Sequence, residues 1–266
     1  MVLEYIVCAN PRSGSSLLCS TLASVPGAGA PREVFFRGSV HVNLTAWGGA
    51  APGSTRQQPK PSAGFDYLRH ARQFAVQNGA RAAKVHWDQV SWCRERLGID
   101  PFELFERRGP ELMHIYVWRD DMVAQAVSAM IAEATRIYHR RTSEPTVDIE
   151  NSAGPASKPP EYEFSFLVNY LGVIQEDEKS WRRYFDERGI APYLVRYEDL
   201  AADPAGAATE ALAYLRVRHT VVPNSDLEVL RTSLNKEFAE RFRTELVGSG
   251  IAAGLPPEVR KRCGLR

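Results

Sequence analysis

Four short apolar runs frame this chain: Tyr5 to Ala9, Arg81 to Trp87, Met113 to Trp118 and Pro192 to Tyr197, each followed by polar or turn-forming residues. Runs of this length, bounded in this way, suit buried strands. Longer segments carry apolar residues three and four apart. These are Ser16 to Val25, Phe65 to Asn78, Met122 to about His139, Phe164 to Arg188, Pro204 to Arg216 and Ser225 to Leu246. Such spacing predicts amphipathic helices. Asp100 to Arg108 adds a short one, with Asp100 as N-cap and Pro101 in its first position. Strands separated by helices throughout predict an α/β fold, with a parallel sheet of about four or five strands flanked by helices on both faces.

Two stretches interrupt the pattern. Gly48 to Gly64 is rich in Gly, Ala, Pro, Ser and Gln, and Arg140 to Glu161 has few apolar residues. Both read as mobile loops and as candidate lids over a substrate. From Val247 onward the composition is that of a loose tail. No internal repeat is present, and 266 residues suit a single domain, 1–266, with a substantial core.

The formal charge of +1 speaks against a nucleic-acid or membrane-surface binder, so any basic site is local. No apolar run approaches the roughly 18 residues of a membrane span. The first run is broken by Asn10, Pro11 and Arg12 and does not have the form of a signal peptide. Cys8, Cys19, Cys93 and Cys263 show no paired spacing, which suits a reduced, cytoplasmic chain.

The chemistry gathers where strands end. Between the first strand and first helix stand Pro11, Arg12, Ser13, Gly14, Ser15 and Ser16. A glycine there lets successive N–H groups point at one spot, the helix start adds its positive end, and Arg12 supplies a fixed charge. This reads as an anion cradle. Glu33 lies beside Val34, Phe35 and Phe36, where a carboxyl can act as a base or can simply close a short strand at the surface. Lys84 and His86 share one face of the second run. They suit anion binding or proton transfer, or a solvated lysine and a core histidine. Arg119 ends the third run, at the carboxyl end of a strand where ligands of open sheets gather, although it could be a structural ion-pair partner of Asp120 and Asp121. Ser128 follows on the next helix.

The cradle departs from the P-loop of nucleotide triphosphatases. The lysine is absent, Arg12 precedes the glycine, and no strand ends in an aspartate suited to Mg²⁺. No metal is expected. A P-loop kinase and a noncatalytic nucleotide-binding module remain as alternatives.

Pro11 to Ser16 resembles the 5'-phosphosulfate loop of sulfotransferases that use 3'-phosphoadenylyl sulfate (PAPS), and Arg119 with Gln125-Ala126-Val127-Ser128 resembles their 3'-phosphate motif. Glu33 to Phe36 and Lys84 to Trp87 extend the likeness to the bacterial trehalose 2-sulfotransferase-like family, in the same order along the chain. The resemblance implies a P-loop-like, three-layer domain. In it Arg12, Ser13, Gly14, Ser15 and Ser16 hold the 5'-phosphosulfate, Lys84 assists, and Arg119 and Ser128 hold the 3'-phosphate. It also implies that Glu33 takes the proton of a small-molecule hydroxyl (sugar, glycolipid or secondary metabolite), leaving adenosine 3',5'-bisphosphate as product. By the same analogy a homodimer is expected. Lys84-Val85-His86 is similar to an element of animal cytosolic sulfotransferases in which the histidine is the base, so His86 rivals Glu33; the neighbours of Glu33 favour the glutamate. The family has an acidic trehalose-binding residue three positions before the base, and Ala30 stands there, which weakens trehalose as the acceptor.

Overall fold

The computed structural model describes residues 2–46, 61–141, 160–228 and 232–265. Strand β1 (Leu3–Ala9) is followed by α1 (Ser15–Ala23), α2 (Arg37–Ala46), α3 (Pro61–Phe74), β2 (Val76–Gln77), β3 (Ala80–His86) and α4 (Trp87–Leu97). Then come β4 (Met113–Trp118), α5 (Met122–Thr135), α6 (Phe164–Glu187), β5 (Tyr193–Arg196), α7 (Tyr197–Ala202) and α8 (Pro204–Tyr214). The C-terminal part holds α9 (Ser233–Gly248), α10 (Ile251–Gly254) and α11 (Pro257–Arg262).

The sheet order is β2-β3-β1-β4-β5, parallel throughout except for the short β2. The period-two alternation of β1 explains the layers. Tyr5, Val7 and Ala9 face Leu18, Leu22, Ala211 and Leu212 of α1 and α8. Ile6 and Cys8 face Tyr67, Val90, Trp181 and Phe185 of α3, α4 and α6. Each large apolar side chain buried in this way contributes about 1.5–3 kcal/mol before entropy is counted. The expected α/β architecture, a mostly parallel sheet between helices, is therefore present. A third cluster joins α5 and α6 to α9 and the two helices after it. Among the described residues no helix is long and apolar enough to cross a membrane.

Several boundaries differ from expectation. Helix α3 starts at Pro61 and stops at Phe74, because Asn78 (φ 46°) and Gly79 (φ 81°) make a hairpin turn that pairs β2 with β3. Helix α5 ends at Thr135, where Arg136 turns left-handed, instead of running to His139. Helix α9 starts at Ser233; Leu227 forms a β-bridge to Arg141 where a helix from Ser225 was expected. The segment Asp100 to Arg108 holds only one 3-10 turn, Pro101–Leu104, capped by Asp100 as expected. The stretch from Val247 is not loose: Ala252, Val259 and Cys263 are buried in the third cluster, and Arg243 Nε donates to the Cys263 carbonyl. Most of the two candidate lids, 47–60 and 142–159, lies outside the described residues.

Because β1 has β3 on one side and β4 on the other, the chain crosses the sheet between them. A cleft opens at the carboxyl ends of these strands.

Candidate active site

The cradle begins where β1 ends. Arg12 (φ 64°) and Gly14 (φ 90°) both take left-handed backbone, and Ser13 N donates to the Asn10 carbonyl at 3.3 Å. Position 14 requires glycine twice over, since a Cβ there would run into the ring of Tyr197. Helix α1 starts at Ser15 with no side-chain cap. Its first-turn N–H groups therefore lack intrahelical partners, at residues that line the cleft. Ser13 Oγ is buried without a hydrogen-bond partner among the described residues.

Glu33 reaches this loop through β3. Arg32 pairs in parallel with Ala83, and Lys84 N donates to its carbonyl at 3.0 Å. Val34 and Phe35 are buried, and Tyr67 donates to the Val34 carbonyl. The segment so fixed sets Glu33 Oε1 2.5 Å from Lys84 Nζ, which also donates to Ser16 Oγ at 2.7 Å. Lys84 thus supplies from a neighbouring strand the lysine that the loop itself lacks. Gln89 Nε2 donates to Glu33 Oε2 at 2.8 Å, and His86 Nδ1 lies 3.8 Å from the same oxygen.

Burial alone would raise the Glu33 carboxyl, but His86, Lys84 and the hydrogen bonds from Lys84 and Gln89 outweigh it and hold it down to about 2. The Glu33 carboxyl is thus held down by its charged and hydrogen-bonded partners instead of being raised by its apolar neighbours. His86 is pushed down to about 4, chiefly by burial; Glu33 opposes this and Lys84 adds to it. At neutral pH Glu33 is a carboxylate and His86 an uncharged imidazole. His86 Nε2 is buried with no hydrogen-bond partner among the described residues.

The far end of the cleft holds the second constellation. Arg119 follows β4, its guanidinium lying 4.4 Å over the Tyr197 ring, and its Nη1 donates to the Arg12 carbonyl at 3.4 Å. Arg12 does not point toward Lys84. Its Nε donates to Ser128 Oγ at 3.1 Å and its Nη1 to the Tyr138 carbonyl at 2.6 Å. Two arginines and Ser128 are thereby brought together, while Lys84, Glu33 and His86 form a separate group around Ser16. Gln125 Nε2 donates to the Pro11 carbonyl at 2.8 Å and ties α5 to the loop.

Sequence reasoning missed Gln89, His139 and Tyr197. The turn after α5 brings His139 Nε2 to 3.4 Å from Ser16 Oγ, and no periodicity could have shown this once the helix was extended over it. Tyr197 had a signal: it follows β5 as Arg119 follows β4. Arg12, Glu33, His86, Arg119 and Ser128 line one cleft with Gln89, His139 and Tyr197, of about 1200 Å³, more than the roughly 300–1,000 Å³ of an ordinary small-ligand pocket. It has room for a nucleotide and a second molecule beside it.

Comparison with known proteins places the chain among sulfotransferases. Residues 4–245 match the family described as Stf0 sulphotransferase. The trehalose 2-sulfotransferase of Mycobacterium tuberculosis is 24% identical over 272 residues, covering 94% of this chain and 98% of that one. The trehalose 2-sulfotransferase of Mycolicibacterium smegmatis is 24% identical over 277 residues, covering 93% and 97%. A crystal structure of a sulfotransferase from Alicyclobacillus acidocaldarius superposes with a TM-score of 0.44 at 13% identity, over 99% of this chain and 96% of that one.

Proposed function

The chain belongs to the Stf0 sulphotransferase family, and on that premise we propose that its cleft takes PAPS as sulfuryl donor and a small-molecule hydroxyl as acceptor. One observation carries this reading. Lys84 touches Ser16 of the cradle and Glu33 at the same time, so anion site, cation and carboxylate meet in one chain of contacts. The residues fit the donor's two ends. The first-turn N–H groups of α1, Ser13, Ser16 and Lys84 receive the 5'-phosphosulfate. Arg12, Arg119 and Ser128, already gathered, receive the 3'-phosphate; this moves the Arg12 side chain from the 5' end to the 3' end. Adenosine 3',5'-bisphosphate is the product.

In the transfer, the acceptor oxygen forms a bond to sulfur as the bond from sulfur to the bridging phosphate oxygen breaks. The acceptor proton passes to Glu33. Lys84 and the loop N–H groups take up charge on the moving group and the leaving phosphate. A carboxylate held at about 2 is a weak base. When Lys84 turns toward the donor's oxygens, Glu33 loses a cation and burial raises its proton affinity. Base strength is thus greatest with donor in place. Gln89, donating to Oε2 at 2.8 Å, orients the carboxylate, and neutral His86 lies 3.8 Å from the same oxygen, outside hydrogen-bond distance.

Phe36, half exposed and three residues after Glu33, lines the cleft, as do the stacked rings of Phe166 and Tyr170, 5.7 Å apart. Flat apolar faces of this kind suit the C–H face of a sugar, glycolipid or ring-bearing secondary metabolite. A screen of hydroxyl acceptors with labelled PAPS tests the reading. Label on an acceptor oxygen is the expected outcome; tight bisphosphate binding without transfer to any acceptor would instead leave only a nucleotide-binding module.

A further inference from the structure

We propose that Arg262, near the end of the chain, is a positioning residue of the donor site, fixing the backbone from which Arg119 enters the cleft. The inference rests on Arg119 as a ligand of the 3'-phosphate. The turn Arg119 to Asp121 joins β4 to α5 and is held from three directions. Arg262 Nη2 donates to the Arg119 carbonyl at 2.5 Å and Nε to the Asp120 carbonyl at 3.2 Å. On the opposite polarity, the Glu198 carboxylate accepts from the N–H groups of Asp120 and Asp121 at 3.1–3.3 Å. Asp121 caps α5 through Ala124 N at 2.9 Å and accepts from Arg243 Nη2 at 2.7 and 2.9 Å.

Arg262 is itself locked. It pairs with both oxygens of Glu178 on α6, at 2.6 and 2.8 Å, and lies 5.4 Å over the ring of Trp118, the last residue of β4. Its side chain is 17% exposed. Neither Arg262 nor Glu178 lines the cleft. Glu178 also neutralises the guanidinium, so what Arg262 gives the donor site is placement rather than field. One planar fork serves a carboxylate and two carbonyls together, which the point charge of a lysine cannot do. The match to the family ends at residue 245, before this latch begins. The segment whose composition read as a loose tail therefore completes the site's support.

The test is a pair of titrations, adenosine 3',5'-bisphosphate and adenosine 5'-monophosphate, into wild type, Arg119→Ala, Arg262→Gln and the double variant. Arg119→Ala is expected to lose roughly 10- to 100-fold in bisphosphate affinity with little change for the monophosphate. Arg262→Gln is expected to lose roughly tenfold with the same selectivity and to add nothing in the Arg119→Ala background. Arg262→Lys is not expected to restore it. If Arg262→Gln weakens both ligands alike, or neither, while Arg119→Ala still discriminates, the latch is structural only and the proposal falls. If Arg119→Ala also fails to discriminate, the 3'-phosphate reading falls and takes the proposal with it. Glu178→Gln, which leaves the guanidinium in place but unanchored, decides the matter by the same criterion should Arg262→Gln not fold: a smaller selective loss supports the proposal, and an unselective loss or none overturns it.

Discussion

Gly14 carries the hardest constraint in the cleft. Its φ of 90° and the ring of Tyr197 leave no room for a side chain. Gly14→Ala is expected to destabilise the fold by about 1–3 kcal/mol in a denaturant titration and to abolish bisphosphate binding; unchanged binding would mean that the loop does not cradle an anion. Lys84, with His86 and Gln89, holds the Glu33 carboxyl down, and its removal in Lys84→Met should move that carboxyl up toward the usual range, read by NMR as a function of pH. At this scale the sequence was informative about identity and poor about direction. Glu33, Lys84, His86, Arg119 and Ser128 could be picked out by type and spacing. That Arg12 turns to Ser128, and that Glu33 is pulled down rather than raised, depends on contacts between residues 116 and 51 positions apart in the chain.

Helix α6 shows what an element adds that its residues do not announce. Its buried face carries Leu167, Leu171, Ile174 and Trp181, as the periodicity predicts, but Asp177 is buried on it too. Burial, with Asp88, Glu176 and Glu178 adding to it, raises Asp177 to about 7. The folded state therefore holds this proton more tightly than the unfolded chain. Stability from this group is full below the ordinary value near 3.8, falls as pH rises, and is lost through about 7. Asp177→Asn is expected to stabilise the protein by about 2 kcal/mol at pH 8 and not at all near pH 4, measured by chemical denaturation at the two pH values. Elements with long apolar periods were legible, and α6 is found nearly where expected. Boundaries set by single residues were not. Asn78-Gly79 is a hairpin signal that ended α3 early, Arg136 stopped α5, and α10 and α11 are too short and polar for periodicity to separate them from a loose end.

Across the whole molecule, a nearly neutral chain concentrates its function at one place. The parallel sheet brings the carboxyl ends of β1, β3 and β4 side by side, so that motifs more than a hundred residues apart line one cleft. The order of strands and helices was readable because each apolar run could be counted. The latch of the C-terminal helices on the turn after β4 was not, because nothing in local composition says which distant carbonyls an arginine will meet. The central claim, that this cleft moves a sulfuryl group with Glu33 as base, is tested most directly by transfer of label from PAPS to an acceptor hydroxyl in wild type, Glu33→Gln and His86→Ala. Glu33→Gln is expected to lose roughly 10²–10⁴-fold in turnover while keeping its bisphosphate affinity. Full turnover in Glu33→Gln, with loss in His86→Ala, would contradict the account and make His86 the base.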